Sequence, residues 1–97
     1  MDDRVTKGKI EKYFDVTGRA LKKVKFTELT DSKRKDADDF FDMATRYYSD
    51  AEYFYKKGDV VNAFAALNYA HGWLDAGARI GLFDVDHDNT LFTVDDR

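Results

Sequence analysis

The sequence predicts an all-α fold: a three-helix bundle with helices over about 3–26, 32–57 and 60–82, and a short hairpin-like or extended C-terminal tail. Three observations carry this. Apolar and small residues recur at gaps of three and four along most of the chain, the period of one helix face. A single Lys56-Lys57-Gly58-Asp59 junction interrupts the densest such stretch, a connection short enough to force antiparallel packing. There is no proline in the 97 residues, which suits long uninterrupted helices.

The first helix rests on Ile10, Tyr13, Phe14, Thr17, Leu21 and Val24, with Gly18 as a weak point costing about 1 kcal/mol relative to alanine. The polar stretch that follows offers Thr30, Asp31 and Ser32 as N-caps, whose side-chain oxygens accept from the first free backbone N–H groups. The second helix carries Ala37, Phe40, Phe41, Ala44, Tyr47, Tyr48, Ala51, Phe54 and Tyr55. Asp36, Asp38 and Asp39 lie near its positive end and Lys56 and Lys57 near its negative end, as the macrodipole prefers. Gly58 is the expected left-handed residue after the helix, and Asp59 the cap of the next. The third helix is apolar on two stripes: Ala63, Phe64, Leu67, Ala70, Leu74 and Ala78, then Ala66, Tyr69, Trp73 and Ile80. Such a helix is central, covered on two sides or by a second subunit. Gly72, Ala76, Gly77 and Gly81 lack bulk, which predicts close neighbours. Beyond Leu82 the period changes, and Phe83/Val85 and Leu91/Phe92/Val94 flank an Asp/Asn-rich turn.

Length and composition bound the rest. One domain over 1–97 is expected, burying roughly 60–65% of its unfolded surface. Charged residues make up 36% of the chain and mean hydropathy is −0.64. No apolar run approaches the ~18 residues of a membrane span, and the charged N-terminus is unlike a signal core, so a cytoplasmic location is expected. The absence of cysteine excludes disulfides and thiolate metal sites. The net charge of −3 hides a basic first third and an acidic remainder.

The stretch from Tyr47 to Leu82 is similar to a single tetratricopeptide repeat, with Tyr47, Ala51, Phe54, Gly58, Ala63, Leu67 and Ala70 at spacings like that motif's. The usual proline is missing, and the small residues are explained by helix-hairpin packing alone. The run YYSDAEYFYKKGDVVNAFAALNYAHGWLDAGARIGLFDV, with the later LFTV, more closely resembles a family of small archaeal proteins, the domain of unknown function 357. The resemblance covers about two thirds of the chain. It implies an archaeal source and a helical bundle, and no activity.

The sharpest chemical pattern is Asp84 to Asp95, similar to an EF-hand loop with Asp84, Asp86 and Asp88 at ligand positions 1, 3 and 5 and Asp95 at 12. Asn89 stands where that loop has glycine, and Asp95 has a shorter arm than the usual glutamate. An Asp/Asn-rich turn bonding its own backbone is therefore favoured over a cation site. His71 and Asp75 stand four apart on the third helix without a third ligand, and His87 reads as a solvated loop residue. Lys9, Lys12, Arg19, Lys22, Lys23 and Lys25, followed by Lys33 to Lys35, make a basic face that could meet phosphates. No aromatic residues interleave with them, and a solvated face is favoured. Tyr69 and Trp73, off the main stripe, are the interface candidates, with Tyr53 and Tyr55 beside them.

No nucleophile set, phosphate loop or paired catalytic carboxylates occurs, so no catalytic residue and no cofactor is assigned and an enzyme is not expected. The sequence thus reads as a protein-interaction or structural module that self-associates, expectedly as a homodimer. The alternatives are an RNA-associated adaptor using helix one and a divalent-cation binder using the acidic turn.

Overall fold

The computed structural model describes residues 6–86, 88 and 91. Its elements in order are α1 (Lys7–Lys23), β1 (Lys25–Phe26), α2 (Asp31–Lys56), α3 (Val60–Arg79) and β2 (Phe83–Asp84). The expected three-helix bundle is present, with the helices packed on one another and a short C-terminal segment laid against them. At 1.5 Å per residue the 26-residue α2 spans about 39 Å, which accounts for the 42 Å long dimension of the molecule.

Local chemistry explains each boundary. Thr6 is extended and its hydroxyl accepts from Lys9 N at 3.2 Å, so α1 starts at Lys7 rather than near residue 3, with residues 3–5 outside the described part. The expected continuation to 26 is also corrected. Val24 turns extended, and Val24-Lys25-Phe26 alternates inward and outward as a strand does. The gap of three from Leu21 to Val24 mimicked one more helical turn. Thr30 caps α2, its hydroxyl accepting from Lys33 N at 3.4 Å.

Both later helices end in a Schellman motif with glycine in the left-handed region. At α2, Gly58 (φ +80°) N donates to Tyr55 O and Asp59 N to Phe54 O. At α3, Gly81 (φ +83°) N donates to Ala78 O and Leu82 N to Gly77 O. The expected α3 end near 82 therefore moves back to Arg79. Asp59 also serves the next helix: its carboxylate accepts from Asn62 N at 3.1 Å and from Asn62 Nδ2 at 2.7 Å. One residue closes α2 and opens α3, so the two helices must run antiparallel.

The start of the tail is extended and laid on the bundle, in a pairing the sequence did not suggest: Phe83 pairs with Phe26 and Asp84 with Lys25, antiparallel, so β2 joins the α1–α2 linker. Thr27 N donates to Leu82 O, and Thr27 Oγ1 donates to Gly81 O at 3.0 Å, tying this linker to the end of α3. Of the expected second tail strand, Leu91 is buried, while Phe92 and Val94 lie outside the described residues.

The interior is built from small residues and ringed by large ones. Ala37 and Ala44 of α2 cluster with Leu74 and Ala78 of α3, while Ala51 clusters with Ala63, Ala66 and Leu67. Helices meeting through alanine approach so closely that the aromatics are pushed outward. Phe40, Phe41, Phe54 and Phe64 of the helix stripes accordingly cover it half-buried. Two edge-on ring pairs fasten α1: Tyr13 on Phe64 at 4.7 Å and Phe14 on Tyr48 at 5.8 Å, each worth about 0.5–1.5 kcal/mol beyond area burial.

Candidate interaction face on the third helix

The surface of α3 divides into three arcs. Buried Ala63, Ala66 and Ala70 belong to the arc nearest α2, and Phe64 and His71 reach α1 through Tyr13 and Thr17. The third arc carries Val61, Ala65, Tyr69, Gly72, Ala76 and Ile80, all exposed and spaced by four, four, three, four and four. It contains no charge among those six. Val61 is 68% exposed, Tyr69 62% and Ile80 64%, three of the four exposed large apolar residues among those described, Tyr53 being the other.

Two side chains from the neighbouring arc and from α2 give this face relief. Tyr47 stacks on Tyr69 with ring centroids 5.2 Å apart and planes 21° off parallel. Trp73 stands edge-on to Phe40 at 5.0 Å and is half-buried. Between these rings, Asn68, Gly72 and Ala76 leave an open recess of about 380 Å³. A side chain added at Gly72 would meet nothing within 4 Å. The recess exists because Gly72 and Ala76, among the larger residues that line it, are small.

The interface candidates thus part company. Tyr69 projects and Trp73 walls the recess while already resting on the bundle. Ala66 and Ile80, read as one stripe with them, separate fully: Ala66 is buried and Ile80 exposed. Of the small residues expected to have close neighbours, Gly77 alone does, its α-carbon lying under the Phe83 ring. Gly81 is small because its backbone is left-handed. Tyr55 packs on Phe14 at 5.3 Å, and Tyr53 lies under the Lys57 ammonium at 5.1 Å.

The acidic turn gives its carboxylates to its own backbone. Asp84 Oδ1 accepts from Asp86 N at 3.0 Å, and Asp88 Oδ1 accepts from Leu91 N at 3.1 Å. Asp86 has a left-handed φ of 54° and its Oδ2 lies 3.7 Å from Lys23 Nζ. Asp95 and His87 lie outside the described residues. His71 Nδ1 is 3.4 Å from Thr17 Oγ1, and His71 and Asp75 share a hollow of about 240 Å³ with Tyr13 and Val16. No cluster of three or more His, Cys, Asp or Glu positioned to hold a metal occurs among the described residues.

Several basic residues of α1 are engaged within the fold. Lys9 covers the Phe64 ring at 5.6 Å, Arg19 pairs with Asp15 at 3.5 Å, and Lys23 reaches Asp86. Arg34 covers Phe26 at 5.5 Å. Lys12, Lys22 and Lys25 remain exposed.

On the α1–α2 seam, Tyr48 Oη donates to Phe14 O at 3.4 Å. Burial holds the Tyr48 hydroxyl above its ordinary range, with Glu52 and Asp15 adding to the shift. Its oxygen fills the space beside Gly18, where a β-carbon would stand 2.9 Å away. The glycine that reads as a helix weakness is thus the seat of a tyrosine.

Residues 12–83 match the model of a family described as a protein of unknown function, DUF357. No curated protein and no solved structure matches the chain. No helix among the described residues is long and apolar enough to cross a membrane.

Proposed function

We propose that this chain, which belongs to the DUF357 family, is a self-associating structural module whose working surface is the outer arc of α3. The occupant of that surface is a second copy of the same chain. One observation carries the reading: Tyr69 projects, 62% exposed, beside a recess of matching character walled by Tyr47 and Trp73. A knob and a hole on one face are what a two-fold contact needs, because each copy supplies both. Aromatic residues at such a centre, with charge kept to the edge, match the composition of interface cores. On this reading the module is non-enzymatic and acts by holding subunits together.

Sedimentation velocity across the micromolar range tests it. A dimer is expected, and Tyr69→Asp, which places a charge in the contact without touching the core, should return a monomer with unchanged circular dichroism. A monomeric parent chain at several hundred micromolar, or a Tyr69→Asp dimer as tight as the parent, would defeat the proposal.

A further inference from the structure

The pattern of the outer arc fixes more than the existence of a contact. We infer that two copies join through antiparallel α3 helices in one register, with the two-fold axis between Ala70 and His71, so that Tyr69 of each fills the recess over Gly72 of the other. The inference rests on the self-association proposed above and adds its geometry.

The outer four residues of the arc mirror one another in size, Val61 with Ile80 and Ala65 with Ala76, and the central pair, Tyr69 and Gly72, is complementary. In an antiparallel pair about that axis, each position faces its mirror position. Val61 then meets the partner's Ile80, Ala65 meets the partner's Ala76, and Tyr69 meets the partner's Gly72. Large aliphatic meets large aliphatic at both ends, small meets small at the flanks, and ring meets recess at the centre. The three exposed large apolar residues of α3 are covered at once.

Competing arrangements fit worse. A parallel pair would set Tyr69 against the partner's Tyr69, and leave the recess over Gly72 facing its own copy, unfilled. A void of that size forfeits the dispersion contacts of its lining. Sliding the antiparallel register by one turn sets Tyr69 against Ala76 or the partner's Asn68, and leaves Val61 or Ile80 without its aliphatic partner. The antiparallel choice also opposes the two helix dipoles favourably. Two helices of 20 residues, each about 30 Å long, with Tyr47 and Trp73 at the sides, make a contact near the lower end of stable interfaces, roughly 1,200 Å² in total.

The chain has no cysteine, so engineered thiols are unambiguous. Ala65→Cys and Ala76→Cys are made as separate proteins, and oxidation is followed on non-reducing gels. The equimolar mixture should form linked dimer at least tenfold faster than either variant alone, because only the 65–76′ pair lies within disulfide reach. If the parent sediments as a dimer but the mixture links no faster than the single variants, the register is wrong and self-association survives. If the parent is a monomer, both fail. Gly72→Leu, which fills the open recess, should weaken dimerisation at least tenfold while leaving the melting temperature of the monomer unchanged or raised. Unaltered dimerisation in Gly72→Leu would overturn the register independently of the thiols.

Discussion

The ring of Phe83 lies against the α-carbon of Gly77, in the volume a side chain there would occupy. This contact sets how α3 meets the C-terminal segment. Phe83 is held from the other side by Phe26 at 5.5 Å and by Phe41 at 6.4 Å, so the ring has nowhere to retreat. The last turn of α3, the linker strand and the start of α2 are thereby joined through one aromatic side chain.

Gly77→Ala is therefore expected to destabilise the protein. Overpacking costs about 1–3 kcal/mol, against a gain of roughly 0.5–1 kcal/mol from removing a helical glycine. Gly72→Ala is the matched control on the same helix, with nothing within 4 Å of the added carbon in the single chain, and in protein dilute enough to be monomeric it should stabilise by that same roughly 0.5–1 kcal/mol. Urea denaturation of the pair reads the contrast directly. Equal midpoints would mean that Phe83 does not seat on Gly77.

Gly58 joins α2 to α3 at φ +80° with nothing near its missing side chain. The penalty for replacing it is then purely conformational. Gly58→Val should cost about 1–2 kcal/mol or more, the strain of a β-branched residue in the left-handed region. The expected readout is a lower denaturation midpoint without a change in helical content. A midpoint equal to the parent's would place the turn elsewhere.

How much of this was legible beforehand follows from where each signal lies in the chain. The α2 boundaries and the Gly58-Asp59 turn were readable because Thr30, Gly58 and Asp59 are local capping residues whose chemistry does not depend on the rest of the fold. The small stripe of Ala37, Ala44 and Ala51 was readable because helix packing preserves sequence spacing. The β1–β2 pairing was not, because two residues carry too little pattern and their partners lie at the far end of the next helix pair. For the same reason Phe83 looked like the first strand of a hairpin, when its neighbours are Phe26, Phe41 and Gly77. At the candidate site, Tyr69 and Trp73 could be picked out as off-stripe residues. Their different burial could not, since it depends on Phe40 standing behind Trp73 and on nothing standing over Gly72.

Tyr48 offers a pH test. Its hydroxyl is raised above the usual tyrosine range, first by burial and then by Glu52 and Asp15. The folded state thus holds this proton more tightly than the unfolded chain does. The associated stability is fully present below the unfolded value of about 10, and is lost as pH rises from there through the folded value. Ultraviolet absorbance titration of the native protein should show a tyrosine step above the usual range. Tyr48→Phe should remove that late step and reduce the alkaline loss of stability. A late step that persists in Tyr48→Phe would assign it to another residue.

The acidic turn is expected to ignore calcium. A calcium site needs several carboxylate oxygens converging at about 2.3–2.6 Å from one ion. Here Asp84 and Asp88 each give an oxygen to a backbone N–H of the turn, and Asp86 points one toward Lys23. Binding would have to bring the free oxygens of the three side chains to a common centre and draw Asp86 away from Lys23. Millimolar Ca²⁺ should therefore leave the melting temperature where it is. A site with a dissociation constant a hundredfold below the free ion concentration would add about 2.7 kcal/mol, a rise of many degrees for a domain of this size. Such a rise, abolished in Asp86→Asn, would show that the turn reorganises around the ion and would make cation binding a function of this segment.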